Sequence, residues 1–391
     1  MIDANALKKP LFDRAAVAVV GAAESDLVLC PLWTTPVDLM AQASLRALAD
    51  SGLTLRDVDA VYCATSQIRF ATTALCEYLG LHPRIHDGTQ MGGSSFMTHM
   101  AHACAALQSG QCDVALIAYG STQRSVSRAA ASPREFNPYE TPYQPVLPIS
   151  AYAMAAARHM HEFGTTREHL ASVAVAARQW ALMNPVAWEK EPLSLEQALS
   201  ARMVSSPLTL RDCCLVTDGG GALVLTRADR ARDLHKPPVY VLGFAQELSH
   251  LSISNMPELT TTGAKITGAA AMAMAGVKVQ DFDLAMLYDA FTINTILFLE
   301  DLGFCKKGEG GPFVASGAIA PNGSLPVNTN GGGLSYCHPG MYGLLLLIEA
   351  VRQVRGECGE RQIPSCELAL AHGNGGVLST QATVVLGSVH D

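Results

Sequence analysis

The chain carries one structural pattern twice, and that repeat constrains its fold more than any other feature. Residues 16–24 read as an apolar strand running into a glycine turn at Gly21, and residues 238–247 have the same form around Gly243. After the first comes a helix-like stretch stopping at Gly52, then Asp57-x-Asp59 and the apolar run 60–64. After the second comes a stretch stopping at Gly276, then Asp281-x-Asp283 and the apolar run 284–291. A glycine ends such helices because it takes the left-handed conformation cheaply. A near-continuous apolar strand suits a sheet covered on both faces. A second signal is also paired. Residues 92–95 open a helix through Ala106, closed by Ser109-Gly110, before the strand 114–118. Residues 337–340 open a helix through Val354, closed by Arg355-Gly356, before 368–371 and then His372-Gly373. Strands alternating with helices in this order imply parallel-containing sheets with right-handed crossovers. Two copies imply a pseudo-twofold axis, with equivalent loops meeting in the middle. The expected halves are 1–234 and 235–391. The first carries an insertion of about 121–210, with Pro133, Pro138, Pro142, Pro145 and Pro148 and helical stretches at 151–163 and 167–184. An insertion into a symmetric core is expected to shape a substrate site. Its aromatics (Tyr139, Tyr143, Tyr152, Phe163) suit a ring-bearing or branched group, or equally a core.

Composition narrows the function classes. With 391 residues, 49% of them hydrophobic and 16% charged, the chain can build a large core and is not a disordered one. A net charge of -8 offers no general attraction to nucleic acid or anionic lipid, and the basic stretch 227–232 reads as a solvated helix end. Residues 1–14 lack the apolar centre of a secretory signal. The apolar run 344–348 is too short to span a bilayer. Eleven cysteines, an odd number with no Cys-x-x-Cys pair, read as reduced and mostly buried thiols, so no metal site is expected and the expected compartment is the cytoplasm.

Two stretches carry a resemblance. Residues 206–225, with Asp218-Gly-Gly-Gly, look like the signature of sterol-carrier-type thiolases and their bacterial lipid-transfer relatives. Residues 332–340, ending His338-Pro-Gly340, resemble the thiolase Gly-His-Pro motif, with Cys337 where its first glycine usually stands. The resemblance spans essentially the whole chain. It implies the five-layered α-β-α-β-α thiolase fold, a homodimer, and a CoA thioester as substrate with no covalently bound cofactor.

The resemblance also implies a site and shows where this chain departs from it. A thiolase uses a cysteine at a helix start as nucleophile and the Gly-His-Pro histidine beside it. A Cys-x-Gly cysteine near the C-terminus moves the α-proton, and an Asn-Glu-Ala-Phe or His-Asp-Cys-Phe motif adds a polar group. Here the nucleophile position falls at Gly93 or Ser94, and Cys104 lies too far down the helix to substitute. The histidine is kept as His338. The second cysteine reads as replaced by His372, and the polar motif as Tyr288-Asp289-Ala-Phe291. Catalysis is therefore assigned to His338, His372, Tyr288 and Asp289. Gly93, Ser94, Gly340 and Gly375 are assigned to substrate and oxyanion binding, and Gly373 and Gly376 to turn geometry. Cys337 is read as facing the core, and His99, His102, His159 and His161 as structural. Without a thiol, such a set can still polarise a thioester and move protons at the α- or β-carbon. Retro-aldol cleavage of a β-hydroxyacyl-CoA demands that chemistry. Thiolase-like aldolases of steroid side-chain degradation lack the cysteine in the same way and work with a small OB-fold, zinc-ribbon partner. Acyl transfer through Ser94 or a partner subunit, and a non-catalytic acyl-CoA-binding role, are the alternatives.

Overall fold

The computed structural model describes residues 12–126 and 137–388; Pro133 lies outside them. Nine strands form one hydrogen-bonded sheet: β1 (Val17–Glu24), β2 (Ala60–Cys63), β3 (Ile85–Asp87), β4 (Val114–Ser121), β5 (Gly219–Arg227), β6 (Val239–Leu248), β7 (Leu284–Leu287), β8 (Leu368–Gly375) and β9 (Thr380–Gly387). Their spatial order is β3-β2-β4-β5-β1-β6-β9-β8-β7. Reading outward from the middle, β1-β5-β4-β2 is matched by β6-β9-β8-β7, with the parallel pairs β2–β4 and β7–β8 in equivalent places. The ladder pairs Ala18–Tyr240 and Val19–Val239 join the two groups.

Helices complete five layers. α1 (Pro36–Ser51) and α2 (Ala71–Leu79) cover the outer face of the first group of strands. α3 (Ser95–Gln108) lies between the two groups, together with the Gly343–Arg355 helix. From the insertion come α4 (Ile149–Phe163) and α5 (Arg167–Leu182). α6 (Ala264–Ala275) covers the outer face of the second group and packs against α7 (Thr292–Asp301). The Gly343–Arg355 helix is α8. The repeated glycines have one cause in both copies. A Cβ on Gly21 would overlap the carbonyl of Ala47 in α1, and one on Gly243 the carbonyl of Ala271 in α6. Each strand thus lets its outer helix approach at backbone distance. Gly52 and Gly276 end α1 and α6 with φ of 75° and 67°.

Two expected boundaries move. α8 starts at Gly343 rather than after Gly340, because the intervening loop is clamped. The Tyr119 hydroxyl donates to Pro339 O and accepts from Met341 N–H, and Gly340 sits at φ 98°. The run expected to end as strand near Ala371 continues to Gly375, which keeps His372 inside a ladder. No helix among the described residues is long and apolar enough to cross a membrane.

Candidate active site

Four segments meet at the N-terminus of α3: the Gly92–Ser94 turn, the Tyr288–Phe291 turn after β7, the loop 331–342 before α8, and the end of β8. The extended stretch 213–218 laces them together. Cys214 N–H donates to Ala290 O, Leu215 N–H to Gly333 O and Thr217 N–H to His338 O, while the Thr217 hydroxyl accepts from His338 N–H at 3.0 Å. The signature stretch therefore works as a backbone splint that holds the Tyr288 and His338 loops in register.

Gly93 is the position that faces this site. A Cβ built on it would run into the Tyr288 ring and lie 2.5 Å from Asn374 O. The space beside the helix start is thus filled by a tyrosine from another loop. Tyr288 packs edge-on against His338, with ring centroids 5.6 Å apart at 88°. His338 in turn stacks on Tyr342 at 5.9 Å. The Tyr288 hydroxyl donates to Gly340 O at 3.0 Å and accepts from Tyr342 N–H at 3.1 Å. Burial holds this phenol far above its usual pKa, so it stays protonated. His338 is 7% exposed, and its Nε2 is buried with no hydrogen-bond partner. Burial brings its pKa down to about 4, so the ring is neutral at physiological pH.

Asp289 points below the site. Its Oδ1 accepts from Gly333 N–H at 2.7 Å and its Oδ2 from Leu334 N–H at 3.3 Å. Burial raises its pKa to about 7, against the pull of those donors. Gly332 and Gly333 are required beside it, since a Cβ on the first would overlap the carboxylate. A Cβ on Gly333 would lie 2.9 Å from the His338 ring and 3.2 Å from Asp289 Oδ1.

Two expected side chains are turned away from this point. Ser94 points its hydroxyl to Met91 O at 2.8 Å and to Thr380 Oγ1 at 2.6 Å. Neither neighbour is a base that could activate it. We expect Ser94→Ala to keep catalytic activity within a few-fold and to cost about 1 kcal/mol of stability, read by kinetics and denaturant unfolding. His372 is the second correction. Neighbouring side chains on a strand point to opposite faces, and here Gly373 is the one facing α3. A Cβ on Gly373 would lie 2.7 Å from Met97 Sδ and 3.0 Å from Ser94 Cα. The Cys-x-Gly register is therefore better matched by Gly373-Asn374-Gly375 than by His372. The histidine lies on the far face against Phe298 of α7, its ring nitrogens bonded to Thr383 Oγ1 at 2.9 Å and Gln381 Oε1 at 2.8 Å. That network continues from Gln381 to Asn374 and from Asn374 to the Tyr152 hydroxyl.

His372 makes a pH prediction. Burial lowers its folded pKa to about 4, below the usual 6.5 of an unfolded chain. The unfolded chain takes up a proton first, so the stability is present above pH 6.5 and is lost as pH falls from 6.5 toward 4. We expect His372→Gln to flatten this acid limb by on the order of 3 kcal/mol in urea unfolding followed across that range.

Gly340 offers its carbonyl to Tyr288, and Gly375 packs on Met91 O opposite Thr380. Cys337 and Cys104 are fully buried. Of the insertion's aromatics only Tyr152 comes near, stacking on Phe291 at 4.4 Å; Tyr139 and Tyr143 are surface residues at 85% and 86% exposure. Met97 and Tyr342 join the site with no sequence signal that could have found them. No group of three or more His, Cys, Asp or Glu among the described residues could hold a metal ion.

Comparison with known proteins gives consistent matches. The family described as "Thiolase C-terminal domain-like" matches residues 245–388. The chain is 34% identical to an acetyl-CoA acetyltransferase of Methanothermobacter thermautotrophicus, over 94% of this chain and 98% of that protein. It is 36% identical to the 17-hydroxy-3-oxo-4-pregnene-20-carboxyl-CoA lyase of Mycobacterium tuberculosis, over 81% of this chain and 86% of that one. The solved structure of an Ltp2-ChsH2(DUF35) aldolase superposes with a TM-score of 0.86 at 29% identity, covering 97% of this chain and 99% of its own.

Proposed function

This chain belongs to the thiolase superfamily, and we propose that it is a lyase of the sterol-carrier-type branch, cleaving a β-hydroxyacyl-CoA by retro-aldol chemistry with no acyl-enzyme. One observation carries the reading: the Tyr288 ring occupies the space where a side chain on Gly93 would have to stand, beside a neutral His338 with a free Nε2. Both thiol positions of the family are glycines, Gly93 and Gly373, and neighbours fill the space at each. The relatives include a lyase and an aldolase as well as an acetyltransferase. Ser94, turned to Met91 and Thr380, gives acyl transfer no nucleophile.

In the proposed reaction the substrate's β-hydroxyl bonds to His338 Nε2. Its proton passes to the ring, the Cα–Cβ bond breaks, and its electron pair moves onto the thioester oxygen as an enolate. A ketone or aldehyde leaves, and the imidazolium returns the proton to the α-carbon. A ring with a pKa near 4 is a weak base at rest. The enolate forming in the same dry pocket stabilises the imidazolium, so basicity rises as the bond breaks. Tyr288, kept as a phenol, turns its one O–H from Gly340 O to the enolate oxygen as that charge forms, while still accepting from Tyr342 N–H, with backbone of Gly93, Ser94, Gly340 and Gly375 around it. We place the enzyme in the cytoplasm, where its eleven unpaired cysteines stay reduced. We infer a homodimer through the open edge of β3, and a small partner subunit of the kind named in the Ltp2-ChsH2(DUF35) aldolase. Purified protein given a β-hydroxyacyl-CoA is expected to release a carbonyl product and a shortened acyl-CoA, with or without that partner. Consumption of an acyl acceptor with no carbonyl product would sink the proposal.

A further inference from the structure

Beneath the Tyr288–Asp289 turn is a small chamber lined by Asp289, Thr295 and Asn328 and by the apolar Val173, Ala177 and Val327, all of them buried. It offers about 10 Å³ to the centre of a water-sized sphere, which is room for one water molecule. Thr295 stands in the first turn of α7, four residues after the Tyr288–Phe291 turn. Its hydroxyl is 1% exposed as a residue and has no hydrogen-bond partner. A buried hydroxyl left unanswered is costly, and unanswered groups of this kind in native proteins call for a bound water or ion. Opposite it, the Asp289 carboxyl already accepts from Gly333 and Leu334. The Asn328 amide spends its oxygen and one N–H on Leu287 at 2.7 and 2.8 Å and turns its side chain to the Asp289 carboxyl as well. A water there finds two polar partners, the Thr295 hydroxyl and the Asp289 carboxyl, within the two to four that such sites use.

We propose that this chamber binds one water molecule bridging Thr295 Oγ1 to the Asp289 carboxyl, and that Asp289 is thereby a positioning residue for His338. With the water in place, Asp289 becomes a strut between α7 and the glycine turn 332–334, four residues before His338. Gly333 bonds the carboxyl through its N–H and leaves no room for a Cβ against the imidazole, so a tilt of the turn presses on the ring. The titratable groups facing Asp289 are Cys214, Cys337 and Tyr342, each held in its neutral form by burial. The water site stands on the chamber alone; the positioning role rests on the proposed part of His338 in the reaction.

The test is a crystal structure of the intact chain alongside Thr295→Val and Thr295→Ser, with steady-state kinetics on all three. An ordered water between Thr295 and Asp289 is expected in the wild type and in Thr295→Ser, and none in Thr295→Val. Thr295→Val is expected to lower kcat by about 10-fold with KM unchanged, as loss of a supporting contact does, and Thr295→Ser to restore it. A dry chamber in the wild type, in a map that shows other buried waters, overturns the site. Loss of the water with kcat unchanged overturns the positioning role. Should Thr295→Val not fold, the wild-type map and Thr295→Ser still decide the water, and the infrared band of a protonated carboxyl, absent in Asp289→Asn, reports the strut. A wild type without lyase activity would strike the retro-aldol reading and leave the crystallographic answer standing.

Discussion

Gly93→Ala, the addition of one methyl group, is expected to lower activity by at least about 100-fold. A change of that size follows when a reacting group is displaced by an ångström or so. The backbone at position 93 is one that any residue adopts, so conformation does not forbid alanine there. Space does. The new Cβ would have to share the volume of the Tyr288 ring, and that ring is pinned by its hydroxyl to Gly340 and Tyr342 and by its edge to His338. Either the tyrosine leaves or the helix start moves, and overpacking of this kind costs about 1–3 kcal/mol. Pairing with Tyr288→Ala separates steric from chemical loss. The double variant should recover stability toward that of Tyr288→Ala alone, a coupling expected only between touching groups, while activity stays lost. Gly93→Cys should behave as Gly93→Ala does and should not make a thiolase. Thermal unfolding and initial rates on the four proteins read both effects.

His338→Ala is expected to remove most of the remaining activity, on the order of 100- to 10,000-fold in kcat, the range for loss of a general acid or base. His338→Gln should be almost as damaging, since an amide donates and accepts hydrogen bonds but cannot carry the proton. Stability should move the other way from activity. The wild-type ring keeps a buried Nε2 without a partner, and its neutral form is held by burial alone. Replacing it by an apolar side chain of similar size, as in His338→Leu, relieves that unmet demand. It should also remove one source of acid lability, because the unfolded chain binds a proton there between pH 6.5 and about 4 that the folded chain refuses. A variant that is dead yet equally or more acid-stable separates a catalytic histidine from a structural one.

Much of this was written in the sequence because it is periodic. Gly21 with Gly243, and Gly52 with Gly276, mark close approaches and helix ends that recur wherever the same unit recurs, so the repeat exposes the alternation of strands and helices in two copies, while the strand order is seen only in the folded chain. His338, Tyr288 and Asp289 stand out in the sequence because each falls in a stretch resembling a family motif, and the structure packs the Tyr288 ring against His338 with Asp289 beneath them. His372 was misread for a physical reason. Counting along a motif locates a residue to within one position, and on a β-strand one position reverses the face. Only the ladder from Leu368 to Gly375, extended beyond the apolar run, shows that Gly373 faces α3. The sequence leaves Gly93 and Ser94 open for a similar reason, since the choice depends on which of two adjacent bonds points at Tyr288. Met97 and Tyr342 were invisible because nothing in an apolar helix or a loop marks the one side chain that fills a vacated space.

The central claim is that a carbon–carbon bond is cut while nothing becomes attached to the protein, and a quenched single turnover addresses it directly. Enzyme in excess would be mixed with a β-hydroxyacyl-CoA without free CoA, stopped at intervals, and followed by intact-protein mass and product analysis. The expected result is carbonyl product and shortened acyl-CoA in equal amounts, with the protein mass unchanged throughout. A transient gain of one acyl group on the protein, or turnover only when free CoA is supplied, would contradict it.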